Sequence, residues 1–371
     1  MVNPNVIIVG GGVVGCAVAY FLAREGVSVT LLERDDLAAH ASGAAAGMLA
    51  PICESTGEGP FFEFGLRGLA LLAELAGELR ELSGVDPHYV PSGVLRVAQS
   101  AEEAAHLRDH AERLSAHGIE WLTAEAARER EPGLAEGVHG ALWSPREGHV
   151  YSPYLARAYA GAAARLGARI VTGQPALALL RSGDRVTGVE TAAGPLLAGH
   201  VVLCAGVWTR FCAQWLGQCL PIEPVRGQIL SLEAPRPAPR SIVWGDDVYL
   251  VPKQDGSLVV GATVERVGFD CRVTSAGVAE LLQGAIALVP SLGGCSFRRA
   301  WAGLRPDTPD GLPAIGPLPG VEGLTVAAGH FRNGVLLSAV TGQLVADWVV
   351  RGHSPPFAQP FLPERLLAHP A

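Results

Sequence analysis

Val6-Ile7-Ile8-Val9-Gly10-Gly11-Gly12-Val13-Val14-Gly15 stands near the start of the chain. It is followed by helix formers from Cys16 to Arg24 and, past the Glu25-Gly26 turn, by Val27-Ser28-Val29-Thr30-Leu31-Leu32-Glu33. The order is strand, glycine turn, helix, strand, acid, and each glycine has a physical task. Gly10 makes the tight turn off the strand, Gly12 lets a pyrophosphate approach the backbone, and Gly15 lets the helix lie close to the sheet. The helix N-terminus presents N–H groups and a partial positive charge to phosphates. Glu33 lies 18 residues beyond Gly15, where an acid accepts both hydroxyls of a ribose. A glycine motif alone is weak evidence; with both strands, the helix and the terminal acid in place it predicts a dinucleotide site. The acid argues against a 2′-phosphate, which leaves FAD and NAD open.

The 371 residues suffice for two domains with sizeable cores. A hydrophobic fraction of 49% against 17% charged residues excludes a disordered chain. The net charge of −8, with no basic stripe, argues against nucleic acid as a partner. Lys253 is the only lysine, which reads as a compositional bias toward arginine. The seven cysteines (Cys16, Cys53, Cys204, Cys212, Cys219, Cys271 and Cys295) form no CxxC pair, so neither a disulfide framework nor a metal site is expected. The first strand begins within five residues of Met1, leaving no room for a signal peptide, and no apolar run looks like a membrane span. A cytoplasmic protein without a membrane partner is the expectation.

Further along, His40-Ala41-Ser42-Gly43-Ala44-Ala45-Ala46-Gly47-Met48-Leu49-Ala50-Pro51 is rich in small residues, and Gly43 and Gly47 suggest backbone held against a ligand. Apolar periodicity predicts helices over 61–82, 101–116, 153–167, 275–289 and about 336–350. Strands are predicted at 93–98, 168–171, 177–180, 186–191, 200–204, 227–232, 248–252, 257–263 and 324–328. Residues 131–150, with Pro145-Arg146-Glu147-Gly148-His149, read as turns crossing between domains, and the chain from Trp301 reads as a return to turns. The alternation suggests a discontinuous nucleotide-binding α/β domain over 1–80, 146–220 and 301–365. A second α+β substrate domain, built around an antiparallel sheet, would come from the insertions 81–145 and 221–300.

Several segments then agree on a family. They are the N-terminal fingerprint, Ser42–Pro51, Arg226-Gly227-Gln228, Val248-Tyr249-Leu250-Val251-Pro252-Lys253 and Gly261-Ala262-Thr263. Toward the other end come Trp301-Ala302-Gly303-Leu304-Arg305-Pro306, Asp310–Gly316 and Gly329-His330-Phe331-Arg332-Asn333-Gly334. From about residue 5 to 350 the chain resembles the FAD-dependent D-amino acid and sarcosine oxidases, and within them the glycine oxidase branch of thiamine biosynthesis. The block 301–334 is the most specific part. The resemblance implies a Rossmann-like FAD-binding domain of the glutathione reductase type with noncovalent FAD. Gly10, Gly12, Val13, Val14, Gly15 and Glu33 would hold the ADP half, and Arg34, Ser42, Ala45, Ala46, Gly47 and Met48 would lie along the cofactor. Ala176 would meet the adenine, with Gly206 and Trp208 nearby. His330, Arg332, Asn333, Gly334, Val335 and Leu336 would wrap the flavin edge, where a helix N-terminus supplies N–H groups to the negative charge of the reduced ring. Tyr249, Arg305 and Arg332 would form the catalytic set, with Tyr249 and Arg305 gripping a substrate carboxylate.

The residue chemistry agrees. Arginine offers a planar fork for a carboxylate, and tyrosine adds a neutral donor that costs less to bury. The implied reaction is oxidative deamination of glycine, and also of sarcosine and small D-amino acids. A hydride passes from Cα to flavin N5, dioxygen reoxidises the flavin to give hydrogen peroxide, and the imine yields glyoxylate and ammonia. The motifs hold no obvious Asp, Glu or His base. Two positions depart from the family pattern: Val264, where a methionine lines the pocket, and Asp247, where a histidine is usual. The partners implied are a small amino acid and dioxygen, in a homo-oligomer. A D-amino acid dehydrogenase or a sarcosine/D-proline oxidase is a sibling reading; an NAD-dependent dehydrogenase or a non-catalytic flavin-binding protein is a reading from another class.

Overall fold

The computed structural model describes residues 5–55, 57–217, 220–353 and 355–367; Cys219 lies outside them. Val6–Val9 is buried on both faces at the middle of a six-stranded sheet. The order is Ala314–Pro317, Leu324–Ala328, His200–Leu203, Val6–Val9, Val29–Leu32, Arg169–Val171. All pairings are parallel except that of the edge strand Ala314–Pro317. A strand buried on both faces needs a continuous apolar run, which is what Val-Ile-Ile-Val supplies. The helix Val13–Arg24 packs between the sheet and the helices Ser152–Arg165 and Ser338–Arg351, so it is apolar nearly all round. Its approach to the closing helix is close: a Cβ on Gly342 would lie 2.9 Å from the Ala17 carbonyl.

A second sheet has eight strands, in the order Phe297–Asp307, Glu223–Glu233, Ser257–Gly261, Tyr249–Pro252, Ile242–Trp244, Val94–Ala98, Gly140–Ser144, Glu120–Leu122. It is antiparallel apart from one parallel pair, Ile242–Trp244 with Val94–Ala98. Those two strands are distant in sequence, so no tight hairpin ties them to antiparallel pairing. A third, three-stranded antiparallel sheet joins Ala176–Ser182, Arg185–Thr191 and Gly194–Leu197.

Two readings of the sequence are corrected here. The chain around Trp301 does not return to turns: Phe297–Asp307 is an 11-residue strand, and the division drawn at 301 falls inside it. Gly303 and Pro306 disguised it. The strand is at the sheet edge, where proline is tolerated. Gly303 lies against the small-residue segment, since a Cβ there would meet Ala44 Cβ at 2.6 Å, and Trp301 Nε1 donates to the Ala44 carbonyl at 3.1 Å. Likewise residues 131–150 contain the fully buried strand Gly140–Ser144 and the short strand Gly148–His149, which pairs with Met48–Leu49. The predicted helices form with ends shifted by a few residues. The closing helix begins at Ser338, two residues later than its apolar pattern suggested.

Candidate active site

A cavity of about 430 Å³ opens at the C-terminal ends of the parallel strands and extends to the second sheet. Its nucleotide end is built by the fingerprint. Gly10 has φ +113°, and a Cβ there would sit 2.4 Å from the Cys204 carbonyl oxygen. Gly15 does not line the cavity; it stands behind it, where a Cβ would come within 1.9 Å of the Gly10 carbonyl oxygen. Gly12 faces the cavity, and a Cβ on it would meet only Ser42 Oγ, at 3.1 Å. Ser42 Oγ accepts from the Val13 N–H at 2.9 Å, at the start of the first helix. Glu33 is buried, and its two oxygens accept from the amides of Gly11 (2.6 Å) and Asp35 (2.9 Å). Those bonds fix the carboxylate while leaving lone pairs for hydroxyl groups.

Val13, Val14, Arg34, Ala176, Gly206 and Trp208 also line this end. The Arg34 guanidinium lies 4.1 Å from the Trp208 ring centre, a cation–π contact. Ala45, Ala46, Gly47 and Met48 form the adjoining wall. The reading of Gly43 as a ligand contact is corrected: it does not line the cavity, and a Cβ there would strike the Ala38 carbonyl at 2.1 Å. Gly47 does line the cavity, and packing also demands a glycine there, since a Cβ would strike the Val150 carbonyl at 2.1 Å. Lys253, which composition seemed to explain, stands behind the same wall. Its buried ammonium donates to the carbonyls of Ala46 (2.7 Å) and Val150 (2.9 Å).

The other end is set by sheet register. Neighbouring strands place Trp244 opposite Tyr249, Tyr249 opposite Gly261 and Gly261 opposite Ile229, so this row shares one face. Arg305 pairs with Val225 and therefore shares that face with Gly227 and Ile229, two and four residues on. A Cβ on Gly227 would lie 2.3 Å from the Arg305 guanidinium, which explains the glycine of Arg226-Gly227-Gln228. Arg305 Nη1 donates to the Thr263 carbonyl at 2.9 Å, leaving the rest of the fork for a ligand. Burial pushes the Tyr249 hydroxyl up and the Arg305 guanidinium down, each partly offset by the other. Arg332 lines the cavity beside them, with Nε 3.0 Å from Glu54 Oε1.

Glu54 was missed by sequence reading, as were the cavity residues Trp244, Ile229 and Gly227. The available signal for Glu54 was an acid three residues beyond Pro51, at the end of the small-residue stretch. His330, Asn333, Gly334 and Val335 line the cavity, whereas Leu336 is buried in the core behind it. The turn 334–337 separates them from the regular helix. His330 Nε2 bonds Thr341 Oγ1 at 3.0 Å. Val264 is 58% exposed, and neither it nor Asp247 lines the cavity, so these departures do not shape its wall.

The comparisons with known proteins decide the family. The sequence profile of the FAD dependent oxidoreductases matches residues 5–348. The chain belongs to this family. It is 39% identical over 351 residues to the glycine oxidase of Geobacillus kaustophilus, covering 94% of this chain and 93% of that one. The crystal structure of glycine oxidase from the same organism superposes with a TM-score of 0.94 over 99% of both chains at 38% identity. The bifunctional protein ThiO/ThiG of Nostoc sp. is 37% identical over 361 residues, which cover 96% of this chain and 54% of the relative. The chain thus spans about half the length of such bifunctional relatives. Hydrogen cyanide synthase subunit HcnC of Pseudomonas aeruginosa is 34% identical over 410 residues, covering 99% of this chain and 97% of that one.

FAD is the cofactor of this FAD-dependent oxidoreductase, and the donor set fits it. Gly12 leaves open backbone where a pyrophosphate belongs, at a helix N-terminus, and Glu33 offers fixed oxygens to a ribose. Among the described residues, no helix is long and apolar enough to cross a membrane, and six cysteines carry free thiols.

Burial also sets a pH response. It holds the pKa of His149 down to about 2, of His200 to about 4 and of His330 to about 3. The unfolded chain protonates these rings near pH 6.5, so below that pH it binds three protons that the native state does not. Glu147, raised to about 7 by burial, acts oppositely, because the native state keeps its proton down to the unfolded carboxyl range. With 3 − 1 = 2 protons, stability falls as pH drops from 6 to 5, by roughly 3 kcal/mol per pH unit. Urea titrations across this window measure the slope. His200→Gln, outside the cavity, removes one of the two protons and brings the slope down to about half.

Proposed function

We propose that this protein is an amino acid oxidase that deaminates glycine, with sarcosine and small D-amino acids as further substrates, and that it serves formation of the thiamine thiazole. The observation that carries this reading is the pair Arg305 and Tyr249, half-buried on one face of the second sheet in the same cavity as the nucleotide cradle. A carboxylate takes two parallel hydrogen bonds from the free edge of Arg305 and a third from the Tyr249 hydroxyl. That anchor orients Cα, and orientation is the main contribution of the site. When bound, FAD supplies the redox chemistry, accepting the hydride equivalent and delivering electrons to dioxygen. Glu54 is engaged by Arg332 and His330 by Thr341, so in this reading the amine loses its proton to solvent before the hydride leaves Cα. Ile229, Trp244, Met48 and Ala262 wall the space and favour small side chains. One methylene changes discrimination by only about 1–3 kcal/mol, so glycine, sarcosine and D-alanine overlap as substrates.

Anaerobic mixing with glycine, sarcosine and D-alanine is expected to bleach the flavin absorbance, and readmitting oxygen to restore it with release of peroxide. A flavin that none of the three reduces rules out the amine oxidase reading. Reduction without peroxide points to the dehydrogenase alternative. Glyoxylate and ammonia are the expected products from glycine; cyanide in their place would move the protein toward the relative of that name.

A further inference from the structure

Glu54 reaches the cavity from a helix of four residues, Pro51–Glu54. One turn cannot hold its own conformation, because nucleation fixes several dihedrals for a single hydrogen bond. Its shape must come from its surroundings, and three side chains supply it. Glu147 Oε1 accepts from the Ile52 N–H at 2.5 Å and from the Cys53 N–H at 3.1 Å. At the other end, Arg96 Nη1 donates to the Cys53 carbonyl at 2.8 Å, and His110 Nε2 bonds the Ile52 carbonyl at 3.0 Å. Glu147 comes from Pro145-Arg146-Glu147-Gly148-His149, which sequence reading took for a crossing between domains and to which the proposed reaction assigns nothing. It is wholly buried, does not line the cavity, and its Oε2 lacks a partner among the described residues. A buried carboxyl group with one idle oxygen costs stability, and its other oxygen is spent on this short segment.

We propose that Glu147 is a positioning residue for the substrate end of the cavity. It holds the backbone of residues 51–54 so that the Glu54 carboxylate meets Arg332 and turns that guanidinium toward the substrate. The inference rests on the proposed amino acid oxidase reading, but its test does not need turnover.

Acetate, the simplest carboxylate, serves as the probe, with perturbation of the bound-flavin spectrum as the signal. Glu147→Leu keeps the bulk and removes the acceptor; it is expected to weaken acetate about tenfold and raise KM for glycine similarly, with flavin content unchanged. Glu147→Gln keeps a carbonyl oxygen for the two amides and is expected to bind acetate within about twofold of the parent. In a Glu54→Gln background, Glu147→Leu is expected to add less than about twofold, because both changes act through one pair. Should Glu147→Leu fail to fold, Glu147→Asp takes its place, since the shorter side chain cannot reach both amides. A variant that loses stability while binding acetate like the parent overturns the proposal, as does full additivity with Glu54→Gln. Failure of the substrate reading would look different: acetate would still perturb the flavin, while glycine would not reduce it.

Discussion

Arg305→Ala raises the glycine concentration needed for half-maximal rate by about two to four orders of magnitude and leaves FAD bound. The estimate follows from two charge-assisted hydrogen bonds of about 1.5–3 kcal/mol each, lost from a largely dry site, at 1.4 kcal/mol per decade. The cofactor is spared because the protein contacts of Arg305 are the carbonyls of Thr263 and Arg226, on the second sheet, whereas the nucleotide cradle belongs to the first. Arg305→Lys is expected to fall between the two, since an ammonium keeps the charge but has no planar fork. Steady-state kinetics, with flavin content read from the visible band, check both variants. Unchanged kinetics in Arg305→Ala would remove this residue from the site.

Gly15→Ala abolishes FAD binding and lowers the melting temperature, although it adds one methyl group to a helix that alanine otherwise favours. The added carbon would lie 1.9 Å from the Gly10 carbonyl oxygen and 3.2 Å from Cys204 Cβ. The neighbour that must yield is backbone, held in turn by the Gly10 N–H bond to the Leu32 carbonyl at 2.8 Å. Relief therefore means moving the first helix off the central strand, which shifts the helix N-terminus away from the phosphate position. Overpacking of this kind costs about 3 kcal/mol or more. Flavin content and thermal unfolding check the prediction; a variant that keeps both shows that the helix and strand can separate cheaply.

Glu54 and Gly303 show where sequence reading stopped. Strand, glycine turn, helix and acid follow one another within 33 residues, so each feature constrains its neighbour along the chain. Phe297–Asp307 gave no such signal. Its Gly303 and Pro306 look like turn residues, and only the edge position and the contact with Ala44 show why a strand accommodates them. Resemblance pointed to Tyr249 and Arg305, and both line the cavity, but what lies against them was not legible in the sequence.

The dinucleotide end of this protein was thus written locally, because a βαβ unit is a short-range object whose periods and glycine spacings can be counted. The proposed substrate end of the cavity is lined by residues 54, 229, 244, 249, 305 and 332, and no period links them. Strand register put Tyr249, Trp244 and Ile229 in one row, and packing between the two sheets brought Glu54 to Arg332. Such contacts depend on which strands pair and how layers stack, and chain-local hydrophobic patterning carries almost no record of either.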